Sequence, residues 1–158
     1  MWAEDWKKGL DLDRLHKKHI HRGSGLTMAH IAAMFGEAVL GQPGNNYLYV
    51  AENYNICTWI CRDFRAILDH EGISTTPNGE YRRDELYVEV TRLFVKGWQG
   101  TRTFDFHPIS QIGGRAIGRQ WDRIFLDVSA PMRIRFQEEI KILATRDKGC
   151  CGGDYVYY

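Results

Sequence analysis

The chain has 158 residues, 44% of them hydrophobic and 26% charged, with a formal net charge of +1. That length suits one domain with a core of its own, and the near-neutral total gives no general pull toward nucleic acid or membrane. No apolar run approaches the ~20 residues that span a bilayer. The N-terminal stretch "MWAEDWKKGLDLDR" lacks the apolar centre of a secretion signal, so the expected setting is the cytoplasm. Cys57, Cys61, Cys150 and Cys151 make no spaced disulfide framework, and reduced thiols are expected.

Residues 1–14 read as a polar lead-in with Trp2 and Trp6 at helical spacing. "KKHIH" follows as a short strand or strand end. "LTMAHIAAMFGEAVLG" (26–41), rich in Ala, Met and Leu and closed by Gly41, predicts a helix. After the loop "QPGNN", "YLYVA" (47–51) has the compact apolar form of a buried strand. Apolar residues at 56, 57, 60, 61, 64, 67 and 68 trace one helical stripe, ended by Gly72.

"STTPNGEYRRDE" reads as a polar turn region. The alternation and aromatic content of "LYVEVTRLFV" and "TRTFDFHPI" predict a β-rich insertion around 80–107. "QIGGRAIGRQ" is a glycine-punctuated loop, and "DRIFLDVSA" is a strand with Asp127 near its end. "PMRIRFQEEIKILAT" contains a helix beginning near Pro131, and 147–158 form a tail of Gly, Cys and Tyr. Strands alternating with helices imply a mainly parallel sheet. The expected fold is a single α/β domain over 1–158, of three layers with helices on both faces of the sheet.

The stretch "HIHRGSGLTMAH" (19–30) has the outline of a phosphate loop. Such a loop offers backbone N–H groups and a helix N-terminus to an anion; a lysine reaches the outer phosphates and the next Ser or Thr holds magnesium. Arg22, Gly23, Ser24, Gly25 and Thr27 fit the turn, the helix start and the hydroxyl. Leu26 stands where the lysine belongs, and Ile20 replaces the first glycine. The second half of such sites is an apolar strand ending in Asp, then a water-activating Glu. "RIFLDVS" provides the strand and Asp127, with Val128 and Ser129 in place of the acid. Two catalytic charges are missing, each from its own motif. The plainer reading of 23–27 is a tight turn with Thr27 satisfying a helix end. Asp127, on the same footing, is a strand-end carboxylate taking backbone hydrogen bonds.

In the order and spacing of these motifs the chain resembles the ASCE class of P-loop ATPases, especially phage terminase large subunits and PhoH- or helicase-like ATPases. The resemblance runs from the loop through "YLYVAENYN", "GGRAIGRQWD" and "RIFLDVS" to "LATR", which puts Thr145 and Arg146 at a sensor position. It implies a P-loop NTPase-like fold and ATP with magnesium as cofactor. It also implies nucleotide contacts at Arg22, Gly23, Ser24, Gly25, Thr27 and Asp127. Leu26 and Ser129 depart from the family pattern and argue against hydrolysis.

Three functions are open. The first is a catalytically inactive relative, viral by the same resemblance, that acts by binding as an inhibitor or assembly factor of a protein or nucleoprotein machine. Without the lysine and the acid, phosphoryl transfer loses stabilisers worth roughly several kcal/mol each. The second is a nucleotide binder or weak NTPase drawing a cation from Lys17, Lys18, Arg22 or a neighbouring subunit, with Glu52 or Glu138 as the acid. The third is a nucleic-acid module using Lys17, Lys18, Arg115, Arg119 and Arg123 with exposed aromatics near Trp98 and Trp121. A protein partner leads these expectations, nucleic acid follows, and no membrane is expected. His16, His19 and His21 have only Asp11 and Asp13 nearby, so no metal site is assigned to them. Cys57 and Cys61, four apart on one helix, are expected in the core. Cys150 and Cys151 are expected as free surface thiols, because adjacent cysteines bond only with strain.

Overall fold

The computed structural model describes residues 26–78, 92–97 and 99–148. The lead-in 1–14, the "KKHIH" segment and the tail from residue 149 lie outside them. Helix α1 (Leu26–Leu40) leads to strand β1 (Asn46–Ala51), helix α2 (Tyr54–His70) and strand β2 (Ser74–Asn78). A hairpin of β3 (Arg92–Gly97) and β4 (Gly100–Pro108) follows, then a 3-10 turn (Ile109–Gln111) and a π-helical turn (Ile112–Ala116). Strand β5 (Arg123–Asp127) and helices α3 (Ala130–Arg135) and α4 (Gln137–Ala144) complete the order.

The described strands form one open sheet in the order β2-β3-β4-β1-β5. Strand β1 pairs in parallel with both β4 and β5, while β3 is antiparallel to its two neighbours. All strands but β3 therefore point one way, and the sheet is mixed and mostly parallel. Alternation along the strands builds the layers. Tyr47, Tyr49, Ala51, Phe104, Phe106 and Phe125 pack on one face against α1 and α2. Leu48, Val50, Ile124 and Leu126 pack on the other against the two turns, Trp121 and α4. Because β1 is buried on both faces, its sequence is an unbroken apolar run rather than an alternating one.

Helix α2 shows how local sequence sets its bounds. Asn53 caps its start by accepting from the Ile56 N–H at 2.9 Å. Gly72, at φ +76°, ends it, with Ile73 N–H donating back to the Leu68 carbonyl at 2.8 Å. Every residue of its expected stripe is buried, including Cys57 and Cys61. Burial pushes the Cys61 thiol up to about 12, against the pull of Arg65 and Arg62.

Three segments differ from expectation. The polar turn region opens instead with β2, a strand on the rim of the described sheet, where Pro77 is tolerated. Strand β4, expected within the β-rich stretch, lies beside β1 in the middle of the sheet. The single helix expected near Pro131 is broken at Phe136 (φ −108°, ψ 29°) into α3 and α4.

The far end of α1 is pinned by a buried arginine. Arg102, 2% exposed on β4, donates from Nε and Nη2 to the Gly41 carbonyl at 3.1 and 2.5 Å, and from Nη1 to Gly100 O at 3.1 Å. A cation here suits the negative end of the helix. A Cβ on Gly41 would collide with the Tyr47 hydroxyl and the Glu37 carbonyl, so the helix must end on glycine. Tyr47 in turn donates to Glu37 Oε2 at 2.9 Å, and Arg123 binds Glu37 Oε1 at 3.1 Å. Burial first, then Glu37, raises the Tyr47 phenol above its ordinary value. Arg102→Met keeps the bulk but removes three charge-assisted hydrogen bonds. It should lower the unfolding free energy by roughly 2–4 kcal/mol in a denaturant titration followed by circular dichroism. A change under about 0.5 kcal/mol would show that the clamp is idle.

Candidate functional site

Open α/β sheets bind ligands beyond the carboxyl ends of their parallel strands, where successive connections leave for opposite faces. Here β1 runs into α2 on one face, while β4 and β5 run into the turns and α3–α4 associated with the other. The end of β1 is the switch point, flanked by Glu52 just past that strand and by Asp127 at the end of β5.

The first turn of α1 arrives at the same place. Thr27 Oγ1 donates to Asp127 Oδ2 at 2.9 Å, across 100 positions of sequence. Tyr49 Oη donates to that same oxygen at 2.5 Å. The register explains the second contact. Ala51 lies opposite Asp127, and Tyr49, two residues earlier on the same face, reaches past the small alanine side chain. All three residues are buried, Asp127 completely. A carboxylate out of water needs such donors, since an unmatched buried charge costs several kcal/mol. His30, one turn beyond Thr27 on α1, is also buried, its ring edge-on to Tyr49 and Phe125 at 6.4 and 6.1 Å.

Two further groups border the junction. Arg133 on α3 donates from Nε to Val128 O at 3.0 Å and from Nη2 to Leu126 O at 3.4 Å. Burial lowers its guanidinium from the ordinary value, and the charge of Asp127 opposes that. Glu52 accepts the Ser129 N–H at 2.9 Å, which places its carboxylate one strand away from Asp127. Glu138, the other acid proposed for this role, is exposed on α4 and pairs with Lys141 at 3.7 Å.

The structure thus joins Thr27 and Asp127, one from each expected motif. Arg22, Gly23, Ser24, Gly25, Lys17 and Lys18 lie outside the described residues, as does the side chain of Leu26, the first residue of α1. Arg115 falls in the π-helical turn, its side chain likewise outside. Arg119 pairs with Asp105 at 3.4 Å and stacks 5.0 Å over Trp121. Trp121 itself is fully buried and donates to Ala116 O at 2.9 Å. It was expected among the exposed aromatics, and that expectation fails because its ring fills the core of the second face. Thr145 and Arg146, expected at a sensor position, bind the carbonyls of Ile142 and Ile117 at 2.6 and 2.9 Å.

A second polar cluster sits on β4. Asp105 binds Arg92 through both carboxylate oxygens at 2.8 and 3.0 Å, with Arg119 at 3.4 Å and His107 Nε2 at 3.9 Å. Burial alone would raise this carboxyl, but His107 and Arg92 outweigh it and hold it below its ordinary value.

No family profile and no curated protein sequence matches the chain. Among solved structures its fold is similar to a large-terminase ATPase domain. That domain, from a Thermus phage, aligns with a TM-score of 0.45 at 16% identity, and an arginine-to-alanine variant of it aligns at 0.49 and 16%. Both alignments span 78% of this chain and 52% of the terminase chain, so the chain spans about half the length of these structures.

The sequence resemblance implied ATP with magnesium, and the described residues do not fit the metal half of that pair. The acid that would face the metal's water shell is enclosed, and one of its two hydroxyl donors, Tyr49, has no part in a phosphate site. Tyr49 is the site residue that motif reading passed over. A tyrosine in a strand buried on both faces needs a partner for its hydroxyl, and that was the available signal.

The Asp105 cluster gives a pH prediction. A depressed folded-state pKa means that the stabilisation is complete above about pH 4 and is lost as pH falls through the lower folded value. Asp105→Asn should cost roughly 2–4 kcal/mol near neutrality. The gap to wild type should close on acidification below about pH 4 in urea titrations taken at several pH values. A gap that stays constant with pH would contradict the assignment.

Proposed function

We propose that the chain is a catalytically silent relative of P-loop ATPases that works by binding, as an inhibitor or assembly factor of a protein or nucleoprotein machine. One observation carries the reading. The Thr27–Asp127 hydrogen bond brings helix start and strand end together as a phosphate site requires, yet the acid is turned inward onto Thr27 and Tyr49. Leu26 in place of the lysine and Ser129 in place of the second acid support the same conclusion. A nucleotide cradle over Arg22, Gly23, Ser24 and Gly25, and a viral origin, belong to the proposal through the sequence resemblance.

A protein partner is favoured over nucleic acid. Trp121 offers no stacking face, and Arg119 and Arg123 are engaged with Asp105 and Glu37. On the adjacent helices α3 and α4, Ile134 and Ile142 are 74% and 45% exposed, which suits an apolar contact better than a phosphate backbone.

Calorimetric titration with ATP and magnesium tests the proposal. Wild type should give no binding heat, whereas Leu26→Lys should bind nucleotide with a Kd of roughly 1 mM or tighter, because it restores the phosphate-facing charge. Magnesium-dependent turnover by wild type that Glu52→Gln abolishes would replace the proposal with a working NTPase.

A further inference from the structure

We infer that Tyr49 shuts magnesium out of this site: its hydroxyl holds the position on Asp127 that a water of a hydrated divalent cation would take. The inference rests on reading Asp127 as the acid of a former phosphate site, and it deepens that reading by naming the residue that closes it.

Thr27 and Tyr49 differ in what they imply. In a phosphate loop the hydroxyl after the lysine and the acid of the strand face the same magnesium. Their direct contact at 2.9 Å is therefore compatible with a cation entering between them. Tyr49 has no such part. Its phenol comes from the neighbouring strand and stands 2.5 Å from Asp127 Oδ2, the separation of a strong O–H···O⁻ bond. Magnesium gives up its waters reluctantly and meets protein acids largely through them.

Nor is the phenol placed to swing aside. Tyr49 is 1% exposed, with Phe106 tilted against it at 5.7 Å and His30 edge-on at 6.4 Å. Its ring is part of the core between the sheet and α1, so rotating it away would open a cavity there. The closure is built into the packing, and removing one oxygen atom should undo it while the ring goes on filling the core.

The test uses the full chain and manganese alone as the probe, with free metal followed by electron paramagnetic resonance. Tyr49→Phe should bind about one equivalent of manganese at least roughly tenfold more tightly than wild type, and adding Asp127→Asn should abolish the gain. Loss of this donor to a buried carboxylate should lower the melting temperature on either reading, but a merely structural tyrosine would leave metal binding at the wild-type level. Tyr49→Met, which also fills the space without a hydroxyl, serves as the second variant should the phenylalanine form fold poorly. Equal manganese affinity in wild type and both variants overturns the inference, as does a gain that survives Asp127→Asn.

A companion titration separates this from the parent reading. ADP binding by Leu26→Lys in EDTA tests the phosphate cradle without any metal. If that binding is absent while Tyr49→Phe gains manganese, the cradle reading falls and the closure by Tyr49 stands. If the cradle binds ADP and magnesium strengthens it equally with and without the tyrosine hydroxyl, the closure falls.

Discussion

The structure turns on one buried carboxylate. Asp127 ends β5 wholly out of water, and it is tolerable there because two hydroxyls point at it, one from helix α1 and one from strand β1. Without them the buried carboxylate would lose two of its donors, at a cost of roughly several kcal/mol. With them it becomes the fastener between the start of α1 and the sheet. On the proposed reading the same arrangement sets the chemistry of the site, since the Tyr49 hydroxyl takes up the acid from within the core.

The opposite end of α1 is fastened by different chemistry. There Arg102 holds the Gly41 carbonyl, while Glu37 gathers Tyr47 and Arg123. Helix α1 is thus tied to the sheet by polar contacts at both ends, with Ile31, Met34, Phe35 and Ala38 packed between them. Its sequence, rich in Ala and Met, needs no further specification to stay helical. Its placement over β1 and β5 is what the polar contacts decide, and that placement brings Thr27 to the carboxyl ends of the strands, where open sheets of this class meet their ligands.

Much of this was legible in the sequence. The periodicity of α2, the apolar run of β1 and the helix ending at Gly41 all followed from residue patterns, whereas the hydrogen bond between Thr27 and Asp127 emerged only from the structure. The strand at Ser74–Asn78 did not, because Pro77 and the polar threonines read as a turn until β3 supplies the hydrogen-bonding partner. The break at Phe136 was equally hidden, since both α3 and α4 carry helix-forming residues and the interruption lies in the backbone angles of one position. Trp121 shows the limit of reading aromatics beside arginines as a binding surface: the stacked Arg119 is real, but the ring beneath it is core. Tyr49 was missed because its role depends on register, which places it diagonally from Asp127 past Ala51.

The most direct test of the central claim is a double-mutant cycle on the fastener itself, with Thr27→Val, Asp127→Ala and the pair compared by equilibrium denaturation. The account predicts a coupling energy of about 1–3 kcal/mol, since either change alone removes the same hydrogen bond. A coupling under about 0.3 kcal/mol would mean that helix and strand end are not joined through this carboxylate, and the account of the site would be wrong.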